Sequence, residues 1–161
     1  MERLTLALAD AAQTERAGAT IASALAAGMV VTLSGELGAG KTTLARGLVR
    51  ALGWRQAVKS PTFTLVEHYP FTNLYLYHFD FYRFDESGDA AGEWDDSGVA
   101  DAFRHDTVCL VEWPERVAAL LPPVDLALRL EPDDAGGRRL DASAHTEAGQ
   151  RCLSALAAVL R

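Results

Sequence analysis

A short glycine-rich segment limits the folds open to this chain more than any other stretch. Its residues are Gly35-Glu36-Leu37-Gly38-Ala39-Gly40-Lys41-Thr42, which match the pattern G-x-x-x-x-G-K-[ST], and we call residues 35–42 the glycine loop. The apolar run before it, 29–33, is typical of a buried strand. The run after it, 43–52, carries leucine and valine at helical spacing and stops at Gly53. A strand, a tight loop and a helix are therefore predicted in direct succession.

The glycine loop has the composition of an anion-binding nest. Glycines let the backbone approach an anion closely, with its N–H groups turned inward. Lys41 adds a positive charge for the β- and γ-phosphates, the Thr42 hydroxyl suits Mg²⁺, and Thr43 can reach the α-phosphate. A chance glycine-rich turn is the alternative, and the flanking strand and helix count against it. The expected ligand is a nucleoside triphosphate with Mg²⁺.

Composition restricts the remaining function classes. The chain has 161 residues, of which 49% are hydrophobic and 23% charged, so we expect one domain over 1–161. A formal net charge of −7 disfavours a broad basic surface for nucleic acid, so any RNA would be met through a partner. Cys109 and Cys152 lie far apart without a CxxC, which indicates buried thiols in a reducing compartment. With no basic leader and no apolar run of about eighteen residues, we expect a cytoplasmic protein without membrane contact.

Hydrophobic periodicity and turn signals predict the other elements. Strands are expected at 3–8, 64–69, 74–82, 108–111, 126–130 and 138–144. Helices are expected at 14–27 with Thr14 as the N-cap, at 99–103 and at 147–160, whereas 85–98 is expected to be a loop. Together with the glycine loop, this order predicts an α/β, P-loop NTPase-like three-layer fold. It has a mixed, mostly parallel sheet with helices on both faces and appended β-hairpins.

Two carboxylates are candidates for holding Mg²⁺ or positioning water beside the phosphates. Glu112 ends the apolar run 108–111, where a strand-end carboxylate can hold Mg²⁺ or its water, and an ordinary exposed acid is the alternative. Asp80 alternates with His78 and Tyr82, so the three share one face of a predicted strand. That row is either a solvated surface or a group that positions the attacking water or the metal's hydration shell. Which carboxylate acts as the base stays open.

Two further residues have competing interpretations. Thr62 follows Pro61 in a polar turn, where its hydroxyl or N–H could sense the γ-phosphate as switch loops do, or could simply belong to the entry of a hairpin. Arg83 could neutralise the transferring phosphoryl group or pair with Asp85 or Glu86 at the surface. The local sequence does not separate these alternatives.

Four blocks of the chain, in their order and spacing, resemble the bacterial TsaE (YjeE) family. They are residues 35–43, 58–67, 78–83 and 110–115. The resemblance covers nearly the whole chain and implies a small P-loop ATPase that binds ATP and Mg²⁺. It implies work with the TsaB–TsaD complex in making N6-threonylcarbamoyladenosine on the adenosine beside the tRNA anticodon, with tRNA met only indirectly.

The same resemblance implies roles for individual residues. It implies that Thr42 and Glu112 are the Mg²⁺ ligands and that Lys41 and the loop amides bind the phosphates. It also implies that residues 60–62 and Asp80 are parts of the hydrolytic site. On the matched segments, these assignments agree with the roles inferred from residue chemistry.

Two more positions follow from the resemblance alone. Thr14 matches a family position near the adenine, and Arg138 matches the arginine of a Gly-Arg pair on the last hairpin. The chain departs from the family pattern at 85–98, where a glutamate- and leucine-rich helix is replaced by a Gly- and Ser-containing stretch. Partner contacts through that stretch are therefore not implied.

Two other classes of function would use a similar loop. A small-molecule kinase usually needs an arginine-bearing lid over the phosphates, and 85–98 contains no arginine. A GTP-dependent switch needs a segment that pairs with guanine, and the sequence contains no N-K-x-D. We therefore expect ATP as the nucleotide and an accessory ATPase as the function.

Overall fold

Seven strands and four α-helices make up the fold in this computed structural model, which describes residues 2–84, 86 and 88–160. The strands are β1 Glu2–Leu8, β2 Val30–Ser34, β3 Val66–Pro70, β4 Tyr75–Asp80, β5 Thr107–Glu112, β6 Leu126–Pro132 and β7 Arg138–Ala144. The helices are α1 Ala11–Ala24, α2 Lys41–Ala51, α3 Ala90–Ser97 and α4 Glu147–Leu160, with 3-10 segments at Val99–Ala102 and Pro114–Arg116. The glycine loop thus joins β2 to α2, as predicted.

The strands form one mixed sheet in the order β1-β7-β6-β2-β5-β4-β3. The four central strands β6, β2, β5 and β4 run parallel, while β1, β7 and β3 pair antiparallel with their neighbours. β2 and β5 are covered on both faces, which explains their nearly continuous apolar sequences. The mixed sheet with appended hairpins is confirmed.

Helices cover both faces of the sheet. α1, α2 and α4 pack on one face, where Ile21, Leu48 and Leu156 are fully or almost fully buried. α3 and the first 3-10 segment pack on the other face through Trp94 and Val99. Residues alternate along β5 between these two clusters, so the strand joins both halves of the core. The predicted three-layer arrangement is therefore correct.

α1 and α2 cross at very short range because glycines lie at the crossing. A Cβ added to Gly47 would lie 2.0 Å from the Glu15 carbonyl oxygen, and one added to Gly18 would lie 2.0 Å from that of Leu44. No side chain other than hydrogen fits these positions without moving a helix. The crossing brings the first turn of α1 next to the glycine loop.

Three details of the sequence prediction are wrong. α1 begins at Ala11, because the Asp10 side chain accepts a hydrogen bond from the Gln13 amide at 2.9 Å and caps it. Thr14 is therefore a buried residue of the helix and not its N-cap. β4 ends at Asp80, so Tyr82 leaves the strand and packs against Trp113 on the other face.

The predicted loop 85–98 contains a helix. α3 is capped by Asp89, whose side chain accepts from the Gly92 amide at 3.0 Å, and it ends at Gly98 with φ of 71°. Trp94 anchors it against the rings of Phe81 and Phe103. Asp85 and Ser87 of that prediction lie outside the described residues. Apart from α1 and α3, the predicted boundaries lie within two residues of the structure.

The two cysteines agree with the expectation of buried thiols. Cys109 and Cys152 are free and buried, and burial raises the pKa of the Cys109 thiol to about 12 and that of Cys152 to about 11. Such thiols stay protonated at neutral pH and are poor nucleophiles. In the described part of the chain, no helix has the length and apolar character needed to cross a bilayer.

Candidate phosphate-binding site

The glycine loop adopts the geometry that its composition predicts. Gly38 and Gly40 take left-handed φ values of 82° and 103°, which a residue with a Cβ adopts only at a cost. At Gly35 a Cβ would lie 2.6 Å from the Leu130 carbonyl oxygen, so this residue must also lack a side chain. Gly40 precedes α2 and supplies no side-chain cap, which leaves the amides of the first turn to face an anion.

Lys41 is held inside the loop and not extended into solvent. Only 6% of it is exposed, and its Nζ donates a hydrogen bond to the Gly35 carbonyl oxygen at 2.6 Å. The same atom lies 3.8 Å from Oε1 of Glu112 and 4.3 Å from the ring centroid of Trp113. A buried ammonium group needs such partners. These contacts place the charge between the start of the loop, the end of β5 and the Trp113 ring.

Glu112 and Asp80 lie side by side at the carboxyl ends of two parallel strands. β4 pairs with β5 so that Asp80 is the partner of Glu112, and both side chains are buried. Strand alternation directs both toward the face of the sheet on which α2 packs. The structure therefore brings together Lys41, Asp80 and Glu112, which the sequence named separately.

Asp80 is also tied to the segment that contains Thr62. The Thr62 hydroxyl donates to Oδ2 of Asp80 at 2.8 Å, and the Tyr82 amide donates to Oδ1 at 2.8 Å. The Ser60 hydroxyl lies 2.9 Å from that of Thr62. The structure thus places the Thr62 hydroxyl against Asp80, while a role toward the γ-phosphate stays a prediction.

Two non-glycine residues adopt left-handed backbone conformations beside these carboxylates. Leu65 has φ of 71° and Trp113 has φ of 54°. Such conformations cost about 1–3 kcal/mol each and concentrate at functional sites. The Leu65 carbonyl accepts from the Asp80 amide at 2.9 Å, so the strain at Leu65 lies in the segment that connects Thr62 to β3 and contacts the end of β4.

Arg138 and Thr14 lie on the other side of the loop. Arg138 reaches across from β7, where its Nε donates to the Ala39 carbonyl at 2.9 Å and its Nη2 donates to that of Gly38 at 3.2 Å. A cavity of about 130 Å³ opens beside it. It is lined by Asp10, Ala11, Thr14, Gly40, Thr43, Gly136, Gly137 and Arg138. The two positions given by the resemblance alone thus meet next to Thr43.

The remaining predicted residues of the loop differ in exposure. Thr42 and Thr43 are half-buried in the first turn of α2, whereas Glu36 and Leu37 are exposed. Arg83 lies with its guanidinium carbon 4.9 Å from the ring centroid of Phe63, an arrangement that the sequence did not suggest. Because Asp85 lies outside the described residues, the pairing proposed for it is not tested.

Sequence reasoning missed one buried contact of the site. Nε2 of His78 lies 2.6 Å from Oε2 of Glu112, and 1% of His78 is exposed. The available signal was that His78 shares a strand face with Asp80. Its partner could be found only from the register of β4 against β5, which the sequence does not contain.

The fold and the glycine loop define an α/β protein of the phosphate-loop class. The family described as "Threonylcarbamoyl adenosine biosynthesis protein TsaE" matches residues 8–140. That match spans the glycine loop, Thr62, both carboxylates and Arg138. The chain belongs to the TsaE family.

Individual relatives agree with this membership. The chain is 41% identical over 128 residues to the tRNA threonylcarbamoyladenosine biosynthesis protein TsaE of Haemophilus influenzae, covering 79% of this chain and 77% of that protein. It is 40% identical over 148 residues to the protein of the same name from Streptomyces coelicolor, covering 89% and 96%. The crystal structure of Bacillus subtilis YdiB is similar with a TM-score of 0.78 and 27% identity, covering 98% of this chain and 95% of that one.

Proposed function

We propose that the chain is an ATP-binding and ATP-hydrolysing accessory protein of tRNA threonylcarbamoyladenosine biosynthesis. Its place in that biosynthesis follows from its family. The nucleotide part rests above all on one observation: the glycine loop, with Lys41 at its centre, faces two buried carboxylates at the ends of neighbouring parallel strands. This arrangement has the cation, the amides and the carboxylates that phosphoryl transfer requires.

The triphosphate would lie along the glycine loop, with its γ-phosphate nearest Lys41. On binding, Nζ exchanges its hydrogen bond to Gly35 for the phosphate oxygens, which carry more negative charge. The base and ribose would extend toward the small cavity between Thr14, Thr43 and Arg138. Arg138 supports this end indirectly, because it holds the Ala39 carbonyl group and so directs the Gly40 amide of the same peptide unit toward the ligand.

The residues present suit Mg²⁺ held together with a nucleotide. Among the described residues, no three His, Cys, Asp or Glu side chains form a metal site of their own. Mg²⁺ usually keeps several waters and takes one or two carboxylates together with substrate phosphates. Glu112 and the Thr42 hydroxyl fit this donor set, and Oε1 of Glu112 faces the loop at 3.8 Å from the lysine. A bound Mg²⁺ would neutralise charge on the β- and γ-phosphates.

For hydrolysis, we assign water positioning to Asp80 with Thr62. Water attacks the γ-phosphorus, the bond to the bridging oxygen of ADP breaks, and the attacking water gives up a proton to solvent as inorganic phosphate forms. Asp80 is fixed by two donors and lies next to Glu112, so it can orient a water on the γ side. Loss of the γ-phosphate then alters the surroundings of Thr62 and so the segment 60–65, as in other nucleotide switches.

The partner in this proposal is the TsaB–TsaD complex, with tRNA met only through it and no membrane involved. The net charge of −7 is unfavourable for direct tRNA binding. Two large apolar side chains near the site are unusually exposed, Phe63 at 83% and Leu37 at 64%. Each belongs to a segment that would respond to the nucleotide, and so a partner could distinguish nucleotide states. We also propose a cytoplasmic location, in keeping with two free buried cysteines.

The test is ATP turnover by the purified chain, alone and with purified TsaB–TsaD. The proposal predicts Mg²⁺-dependent release of phosphate whose rate changes when the complex is added. Turnover that is indifferent to the complex would contradict the accessory role. Transfer of phosphate to a metabolite faster than to water would instead support a kinase.

A further inference from the structure

We propose that His78 is a positioning residue for the ATPase reaction and acts by holding the carboxylate of Glu112. The inference rests on the proposed function and extends it to a residue with no assigned role. His78 lies two residues before Asp80 on β4, and Glu112 lies diagonally across on β5. Both are buried, with exposures of 1% and 3%, and Nε2 of the imidazole lies 2.6 Å from Oε2 of the carboxylate.

The proposed role fixes which atom donates. A Mg²⁺ ligand must be an ionised carboxylate, which only accepts hydrogen bonds, so the proposal requires the proton of this bond on Nε2 of His78. The two groups are shielded from water, which makes the bond stronger than the same contact at a surface. The orientation of the Glu112 carboxylate is therefore set from the side of β4.

Because of this hydrogen bond, the two carboxylate oxygens of Glu112 have different partners. Oε2 is occupied by His78, while Oε1 faces the glycine loop at 3.8 Å from Nζ of Lys41. That distance is longer than a hydrogen bond. Without His78 the carboxylate could rotate toward the ammonium group and close a direct ion pair. Lys41 would then be partly neutralised and Oε1 would no longer be presented toward the nucleotide.

The remaining ring nitrogen argues against a role in packing alone. Nδ1 of His78 is buried and makes no hydrogen bond to any described residue. Leaving a buried polar atom without a hydrogen bond is unfavourable. An apolar side chain would avoid that cost in the middle of β4, where Leu76 on the same face is fully buried. The contact with Glu112 gives a reason for a histidine at this position.

Two substitutions separate the hydrogen bond from the ring. His78→Gln carries an amide nitrogen at about the position of Nε2, whereas the shorter His78→Asn carries it near Nδ1 and cannot reach Glu112. His68→Asn is the matched control, because His68 lies on neighbouring β3, is exposed and stacks on Tyr77. All variants are first compared with the wild type by thermal unfolding, so that a loss of fold is recognised.

The kinetic readout is the rate of ATP hydrolysis as a function of Mg²⁺ and of ATP. His78→Asn is expected to lower kcat or the apparent Mg²⁺ affinity by about tenfold or more, the usual effect of losing a residue that orients a metal ligand. Nucleotide affinity measured without Mg²⁺ should fall by a smaller factor than kcat or the apparent Mg²⁺ affinity, because only the partial neutralisation of Lys41 affects it. His78→Gln should recover most of the loss, and His68→Asn should match the wild type.

A second readout does not depend on activity. In the ¹⁵N-histidine NMR spectrum of the whole chain, Nε2 of His78 is expected to carry a proton, and its resonance should shift in Glu112→Gln. An unprotonated Nε2, or a resonance indifferent to Glu112→Gln, would overturn the proposal. Wild-type kinetics in a folded His78→Asn, or equal impairment of the Gln and Asn variants, would do the same. If the wild type itself fails to hydrolyse ATP, the proposed function falls instead.

Discussion

Replacing Arg138 with alanine tests whether the glycine loop is held in shape from outside. The Arg138 side chain crosses from β7 and donates to two carbonyl groups of the loop, at 2.9 Å to Ala39 and 3.2 Å to Gly38. When the Ala39 carbonyl points to Arg138, the Gly40 amide of the same peptide unit points the opposite way, toward the ligand, while the Ala39 amide donates to the Glu36 carbonyl at 3.0 Å. Without the arginine, the loop has to be ordered by the nucleotide during binding, which reduces affinity.

The size of the effect follows from the two hydrogen bonds. A bond to a charged donor contributes about 1.5–3 kcal/mol when shielded from water. Here the bond to Ala39 is partly buried and the bond to Gly38 is exposed. Because solvent weakens the exposed bond to Gly38, we expect Arg138→Ala to reduce the binding free energy by about 1.4–2 kcal/mol in total. This corresponds to a rise in Kd of about 10- to 30-fold for an adenine nucleotide.

The assay is titration calorimetry with ADP and with ATP, and Arg139→Ala is the control. Arg139 is the next residue of β7, and it pairs only with Glu131 and Asp141 on the solvent-facing side among the described residues. Its removal should leave the Kd unchanged within error. A Kd for Arg138→Ala within about twofold of the wild type would refute the reasoning, since it corresponds to less than about 0.5 kcal/mol. An equal loss in Arg139→Ala would also refute it.

Three other predictions follow from the same geometry. Lys41→Ala removes the cation at the centre of the loop, so calorimetry should detect no ATP binding or a severe loss, and wild-type affinity would contradict the site. Glu112→Ala should reduce Mg²⁺-dependent turnover more than nucleotide affinity; equal effects on both would argue against a metal ligand. Gly47→Ala places a Cβ 2.0 Å from the Glu15 carbonyl oxygen and should lower the free energy of unfolding in urea by about 1–3 kcal/mol. The exposed Arg50→Ala on the same helix should change it little, and an unchanged midpoint for Gly47→Ala would contradict the close crossing.

The strand, loop and helix around Lys41 could be predicted because their signals are local. The glycines, the apolar run before them and the helical spacing after them lie within about two dozen consecutive residues. β7 and α4 were predicted with the observed bounds for the same reason, since each has a clear period and a clear start. Such patterns depend little on the rest of the fold.

α3 and the cap of α1 show where local patterns were not sufficient. The stretch 85–98 lacks a regular apolar period, and its helix depends on Trp94 docking against the rings of Phe81, which follows β4, and of Phe103, which follows the helix. At the start of α1, both Asp10 and Thr14 are good capping residues. Packing decides between them, because Thr14 is needed in the buried face of the helix.

The contacts within the site depend on strand register. The sequence named Asp80 and Glu112 as alternatives, whereas the parallel pairing of β4 with β5 places them next to each other. The same pairing brings His78 against Glu112. Neither relation is encoded by spacing, because the two carboxylates are thirty-two positions apart along the chain. Register is set by the packing of both sheet faces.

The central claim is that the glycine loop binds the phosphates of an adenine nucleotide together with Mg²⁺. The most direct measurement is titration calorimetry of the wild-type chain with ATP, performed once with excess Mg²⁺ and once with a chelator. We predict saturable binding of one nucleotide per chain, tighter with Mg²⁺ than without it. Absence of saturable binding under both conditions, with the chain shown to be folded, would contradict the claim.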